Sequence, residues 1–130
     1  MPSTRLSNVN LLVADAERAK TFYAGAFGLT VDERRSAPPH MLILAGGGCT
    51  LSLKTAATEE AGKASGPGDT ELGFETDDLA AVRAAILAHG GQADEIQTLG
   101  FGRTFDAHDP DGHPLSVFTL APKNRPEGER

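Results

Sequence analysis

Apolar residues alternate with polar ones as the chain opens. Val9, Leu11 and Val13 fall at every second position over 8–13, the period of a strand with one buried face. Asp15 comes next, and its carboxylate suits the free amides of a helix start. Ala19, Phe22, Tyr23, Ala26 and Phe27 then recur at helical spacing, which predicts a helix over 16–27 that closes at Gly28. A short strand is expected over 29–34 and a loop over 36–40. Met41 to Ala45 is an unbroken apolar run, as in a buried strand, and Gly46-Gly47-Gly48 is a turn. Thr50 to Lys54 alternates again, with Leu51 and Leu53 on one face and Thr50, Ser52 and Lys54 on the other.

A segment rich in Ala, Gly, Glu, Lys and Ser follows, and then the pattern returns. Leu72, Phe74 and Thr76 alternate. Asp77 and Asp78 precede a helix with Leu79, Val82 and Ile86 inside, ended by Gly90-Gly91. A weak strand near 94–98, a strand over 104–108, a turn at Asp109-Pro110-Asp111-Gly112 and a last strand over 114–120 complete the reading. The halves match at an offset of 63: Asp15 falls on Asp78, Gly28 on Gly91, Val9 on Leu72 and Leu11 on Phe74. Beyond the helices the offset becomes 64, placing Leu51-Ser52-Leu53 on Leu115-Ser116-Val117. Each half therefore reads strand, helix, three strands. The predicted fold is α+β, two βαβββ modules in tandem forming a curled sheet around a cleft. The expected organisation is one domain over 1–120, with module one at about 5–55, a linker at 56–70 and module two at about 71–120. Residues 121–130 are expected to be a polar tail.

Composition narrows the partners. Among 130 residues, 18 acids outweigh 12 Lys and Arg, for a net charge of −6. Phosphate backbones and anionic membrane surfaces call for a basic face, so neither nucleic acid nor membrane is an expected partner. Apolar runs such as Met41 to Ala45 fall far short of the roughly 20 residues that span a bilayer. The first residues carry no apolar secretion core, and Cys49 alone can form neither an internal disulfide nor a multi-cysteine zinc site. A reducing cytoplasm is the expected location.

Three stretches carry a resemblance. Asn8-Val9-x-Leu11-x-Val13-x-Asp15 with Ala19-x-x-Phe22-Tyr23-x-x-x-Phe27-Gly28-Leu29 resembles the opening module of the vicinal oxygen chelate superfamily. Phe74-Glu75-Thr76-Asp77-Asp78-Leu79 with Gly90-Gly91 resembles the second module, and Gly102-Arg103 with Asp109-Pro110-Asp111-Gly112-His113-Pro114-Leu115 its closing hairpin. That superfamily includes glyoxalase I, extradiol dioxygenases and bleomycin-resistance proteins. The resemblance covers about residues 5–120. It implies paired modules around a cleft and, in metal-dependent members, four side chains from four strands that hold a metal.

Strand parity places those positions here. With Val9 and Leu11 toward the helix, Asn8, Asn10 and Leu12 face the cleft, and the implied metal positions are Asn8, Ser52, Glu71 and Ser116. A transition metal wants at least three imidazole, thiolate or carboxylate donors, and only Glu71 is one. No metal, no other cofactor and no catalytic residue is therefore expected. Glu71 and Glu75 share one strand face, and Asp106 adds a third acid by its own parity. The expected ligand-binding set is Asn8, Asn10, Ser52, Glu71, Glu75, Asp106, Ser116 and Phe118. Acids lining a partly apolar cleft favour a cationic or hydrogen-bond-donating organic ligand. The expected function is small-molecule sequestration of the bleomycin-resistance type, in a homodimer. The alternative is a metal-dependent lyase, isomerase or dioxygenase with an altered metal site. Asp106 to His113 is dense in donors, but the twelfth position from Asp109 is Leu120 rather than Glu, so it reads as a hairpin and not a calcium loop.

Overall fold

The computed structural model describes Ser3 and residues 6–55, 70–100 and 102–120. The expected tail and the expected linker, apart from Thr70, lie outside the described residues. The chain divides into two compact units between Ser65 and Gly66. No helix among the described residues is long and apolar enough to cross a membrane.

Unit 1 holds β1 (Asn8–Leu12), α1 (Ala16–Phe27), β2 (Thr30–Val31), β3 (Met41–Ala45) and β4 (Thr50–Lys54). Its sheet runs in the order β1-β4-β3-β2, with β1 parallel to β4 and the other pairs antiparallel. Leu11, Leu42, Leu44, Leu51 and Leu53 are buried on one face, and α1 packs there through Ala16, Ala19, Phe22, Tyr23 and Ala26. The rings of Phe22 and Tyr23 meet edge-on at 5.0 Å. Each large side chain buried this way contributes about 1.5–3 kcal/mol. Asp15 caps α1 by accepting from the Arg18 amide at 3.1 Å, and Gly28 closes it in the left-handed conformation at φ 71°.

β2 is shorter than the expected 29–34 because Asp32 turns the chain. Its carboxylate accepts from the Arg35 guanidinium at 2.8 Å, and its carbonyl takes the Ser36 amide and hydroxyl. The Arg35 side-chain hydrogen bond holds the Asp32 carboxyl below its ordinary value.

Unit 2 repeats the plan with β5 (Leu72–Glu75), α2 (Leu79–Ala88), β6 (Gln92–Ala93), β7 (Gln97–Leu99), β8 (Gly102–His108) and β9 (Pro114–Leu120). The order is β5-β9-β8-β6, with β7 also on β8. Leu79, Ile86, Phe105, Ala107, Leu115 and Val117 form its buried core. Asp78 caps α2 as Asp15 caps α1, accepting from the Ala81 amide at 3.0 Å.

Two details depart from the expected repeat. The left-handed residue after α2 is Gly90, at φ 93°, not Gly91. The Gly91 amide returns to the Ile86 carbonyl and that of Gly90 to Leu87, a Schellman closure where α1 has a single bond to Ala24. Of the weak strand expected near 94–98, residues 94–96 instead separate β6 from β7, and only 97–98 are in a strand. The register against β8 slips by one residue between Ala93 and Gln97, which marks a bulge. Arg83 of α2 holds the bulge, donating to the Asp94 carbonyl at 2.8 Å and the Ala93 carbonyl at 3.3 Å.

The β8–β9 hairpin closes on a buried pair. Asp109 is 4% exposed and His113 3%. One Asp109 carboxylate oxygen accepts from the Asp111 and His113 amides, each at 2.9 Å, and the other faces His113 Nδ1 at 2.9 Å. A ring nitrogen against a carboxylate carries the proton, so Nδ1 donates. In the Asp109→Ala variant three donors lose their acceptor, and the free energy of unfolding in urea should fall by about 3 kcal/mol. Asp109→Asn keeps an acceptor oxygen and should lose clearly less. Equal, small losses from both variants would show the pair to be dispensable.

Candidate functional site

In each unit the helix takes one sheet face, and the polar strand positions share the other. On β1 and β4 the register sets Asn8 opposite Thr50 and Asn10 opposite Ser52. Ile43 of β3 is the other neighbour of Ser52. Asn8 and Asn10 are exposed, whereas Ser52 is 3% exposed. Asn8 joins the group: its Oδ1 accepts from the Thr50 hydroxyl at 2.6 Å and from the Ser52 hydroxyl at 2.9 Å. Its Nδ2 donates to Asn10 Oδ1 at 2.9 Å.

On unit 2, Gly73, Ser116 and Asp106 lie in one row across β5, β9 and β8, and Glu75, Phe118 and Thr104 in the next. A side chain begun at Gly73 would stand 3.5 Å from the edge of the Phe118 ring, so the ring covers the bare backbone there. Thr104 turns its hydroxyl to the Val117 carbonyl at 3.0 Å. Glu71 lies just before β5. Glu71, Glu75 and Asp106 are all exposed, and none has an ion-pair partner among the described residues.

Unit 1 thus brings Asn8, Asn10 and Ser52 into one hydrogen-bonded group, and unit 2 brings Glu75, Asp106, Ser116 and Phe118 onto one face. Thr50 belongs to the first group and was absent from the expected site. Alternation already placed it on the face of Ser52, but its bond to Asn8 depends on the β1/β4 register, which no pattern within one strand reveals.

A metal does not fit these residues. Of the implied positions Asn8, Ser52, Glu71 and Ser116, Glu71 alone is anionic. Two hydroxyl donors occupy the Asn8 carbonyl, the one oxygen of that amide that could bind a cation. Among the described residues no three His, Cys, Asp or Glu side chains group as a metal site. The donors of the closing hairpin are spent on folding it: Asp109 and His113 bind each other, and His108 faces Pro114 at the end of the ladder. Cys49 is half-buried beside the glycine turn, with its carbonyl accepting from the Gly46 amide at 2.9 Å.

Solved structures with the same arrangement are well represented. A glyoxalase/bleomycin resistance protein/dioxygenase family enzyme from Burkholderia phytofirmans PsJN matches with a TM-score of 0.77 at 18% identity, over 88% of this chain and 98% of its own. Protein ATC0852 from Agrobacterium tumefaciens matches at 0.73 and 26% identity, over 92% and 99%. A lactoylglutathione lyase from Agrobacterium tumefaciens matches at 0.67 and 18%, over 91% and 95%. No curated protein matches the sequence. At 18% identity a likeness carries the fold and not the activity. The family model for the Glyoxalase/Bleomycin resistance protein/Dioxygenase superfamily matches residues 5–117. With that match across both βαβββ units, the chain belongs to the glyoxalase/bleomycin resistance protein/dioxygenase superfamily, as its resemblance to vicinal oxygen chelate proteins implied.

Proposed function

We propose that this chain binds a small organic molecule, cationic or rich in hydrogen-bond donors, and sequesters it without metal chemistry. The observation that carries the reading is the state of the implied metal positions. Asn8 and Ser52 are bonded to each other, and Glu71 is the sole carboxylate. A Lewis acid needs anionic or imidazole ligands to hold it, and such a neutral amide–hydroxyl pair supplies none. Glu75, with no ion-pair partner among the described residues, lies opposite half-buried Phe118 and with it offers a cation both charge and an aromatic face. The alternative, a metal-dependent lyase, isomerase or dioxygenase, draws on the likeness to a lactoylglutathione lyase. The expected location is still a reducing cytoplasm.

Metal content decides between the two. Purified protein should hold no stoichiometric zinc, nickel, iron or manganese by elemental analysis. One tightly held metal per chain, lost in the Glu71→Ala variant, would favour the enzyme.

Exposure sets the scale of the acid contribution. An exposed ion pair is worth about 0.2–1 kcal/mol, so each lost charge should weaken a cationic ligand by roughly 1.5- to 5-fold. The measurement is a thermal-shift screen of cationic, neutral and anionic aromatics, followed by titration of the best hit against Glu71→Gln, Glu75→Gln and Asp106→Asn. Preference for anionic compounds, with all three variants binding unchanged, would remove the acids from the site.

Assembly is the third expectation. β1 lies at one edge of its sheet and β5 at one edge of the other, each hydrogen-bonded to a strand on one side. A homodimer with twofold symmetry is the commonest closed solution for such a chain. Sedimentation at micromolar concentration should give twice the 13.6 kDa chain mass, and a monomer there overturns the expectation.

A further inference from the structure

We infer that the polar face of unit 1 is a built hydrogen-bond donor site, in which the Asn10 carboxamide takes a carbonyl or carboxylate oxygen of the ligand and Thr50 is the residue that positions it. The inference deepens the proposed binding function, because it gives the ligand an acceptor group in addition to its cationic or donor group.

The chain of reasoning starts at Asn8. Its Oδ1 has two acceptor sites, and the hydroxyls of Thr50 at 2.6 Å and Ser52 at 2.9 Å fill both. Ser52 is buried, so its hydroxyl must find its partner within the protein. Turning the Asn8 amide over would put its nitrogen against the buried Ser52 hydroxyl and deprive that proton of its acceptor. The amide is therefore held with Nδ2 toward Asn10, and it donates to Asn10 Oδ1 at 2.9 Å. That bond fixes the second amide in turn, since Asn10 has its oxygen engaged and its nitrogen left over. Asn10 is exposed, and no acceptor meets its Nδ2 among the described residues.

The bonds run head to tail, from two hydroxyls through Asn8 to Asn10, and each polarises the next. Such a ladder has a direction, and its outer end is a donor of two N–H groups. A neutral pair of donors on a rigid strand suits an amide carbonyl or a carboxylate, and it gives nothing to an ammonium group. Thr50 matters because it makes the shorter of the two bonds that orient Asn8, while contributing no group of its own to the outer end. It is a positioning residue. Its other acceptor, the Ser7 carbonyl, lies at 3.3 Å.

The test reads the side-chain amide resonances of Asn8 and Asn10 by ¹H–¹⁵N NMR on the full chain, assigned with Asn8→Asp and Asn10→Asp. Acetamide, sodium acetate and methylammonium chloride serve as probes. Acetamide and acetate should shift the Asn10 pair saturably, and methylammonium should leave it in place. Thr50→Val should weaken that binding severalfold, and Thr50→Ser, which restores the hydroxyl, should recover it. Circular dichroism checks that both variants fold. A response of Asn10 to methylammonium equal to its response to acetamide overturns the inference. So does a uniform, unsaturable shift of all surface amides, or unchanged binding in Thr50→Val. The cationic reading fails separately, if benzylammonium leaves the Glu71, Glu75 and Asp106 carboxyl resonances unmoved while acetamide still shifts Asn10.

Discussion

The period of two along a strand governs this molecule. Once a helix packs on one face of a four-stranded sheet, every second residue is committed to the core, and the remainder are held together on the opposite face whatever their chemistry. In unit 1, burying Leu11, Leu51, Leu53, Leu42 and Leu44 leaves Asn8, Asn10, Thr50 and Ser52 as neighbours. In unit 2, burying Leu115, Val117, Phe105 and Ala107 aligns Ser116 with Asp106 and Phe118 with Thr104. A one-residue slip in either sheet would put the amides and acids in the core and the leucines outside. The polar faces are thus maintained by the apolar ones, and a substitution in the core endangers the site through register rather than contact.

Carboxylates do the local fastening. Asp15 and Asp78 each close a helix start by accepting the amide three residues on, at equivalent points of the repeat. Asp32 gathers the turn after β2, and Asp109 gathers the last hairpin. Asp109 differs in being buried. An exposed carboxylate trades water for an amide at little net gain, whereas a buried one must have its full set of donors or cost several kcal/mol. The two backbone amides and the imidazole at Asp109 meet that demand, which is why a cluster with the look of a metal loop is structural in the fold.

Legibility in the sequence followed the length and contrast of each pattern. α1, β3, β4 and β9 have the boundaries that periodicity predicts, because each carries several large apolar residues at one spacing. The βαβββ repeat was legible because the Asp caps, the glycines after the helices and the apolar positions all match at nearly one offset. β6 and β7 were not, since Asp94 and Glu95 carry no apolar signal and the bulge is held by Arg83 from a helix about ten residues earlier. Gly90 rather than Gly91 takes the left-handed conformation because α2 ends two residues earlier in its repeat than α1 does, which identity at either glycine could not disclose. At the candidate site the face was legible and the bonding was not. Alternation put Thr50 beside Ser52, but pairing Thr50 with Asn8 is a property of two strands about forty residues apart.

The chemistry of the two polar faces follows from what their groups can do with charge. A Lewis acid or a nucleophile requires a concentrated, poorly solvated charge, which a protein sustains only with several aligned partners. The amide–hydroxyl ladder of unit 1 is neutral throughout, and each bond in it is already spent on orientation. The acids of unit 2 are exposed, so water screens their charge. Each face by itself suits the proposed recognition, through modest contacts to a donor pair on unit 1 or to acceptors on unit 2.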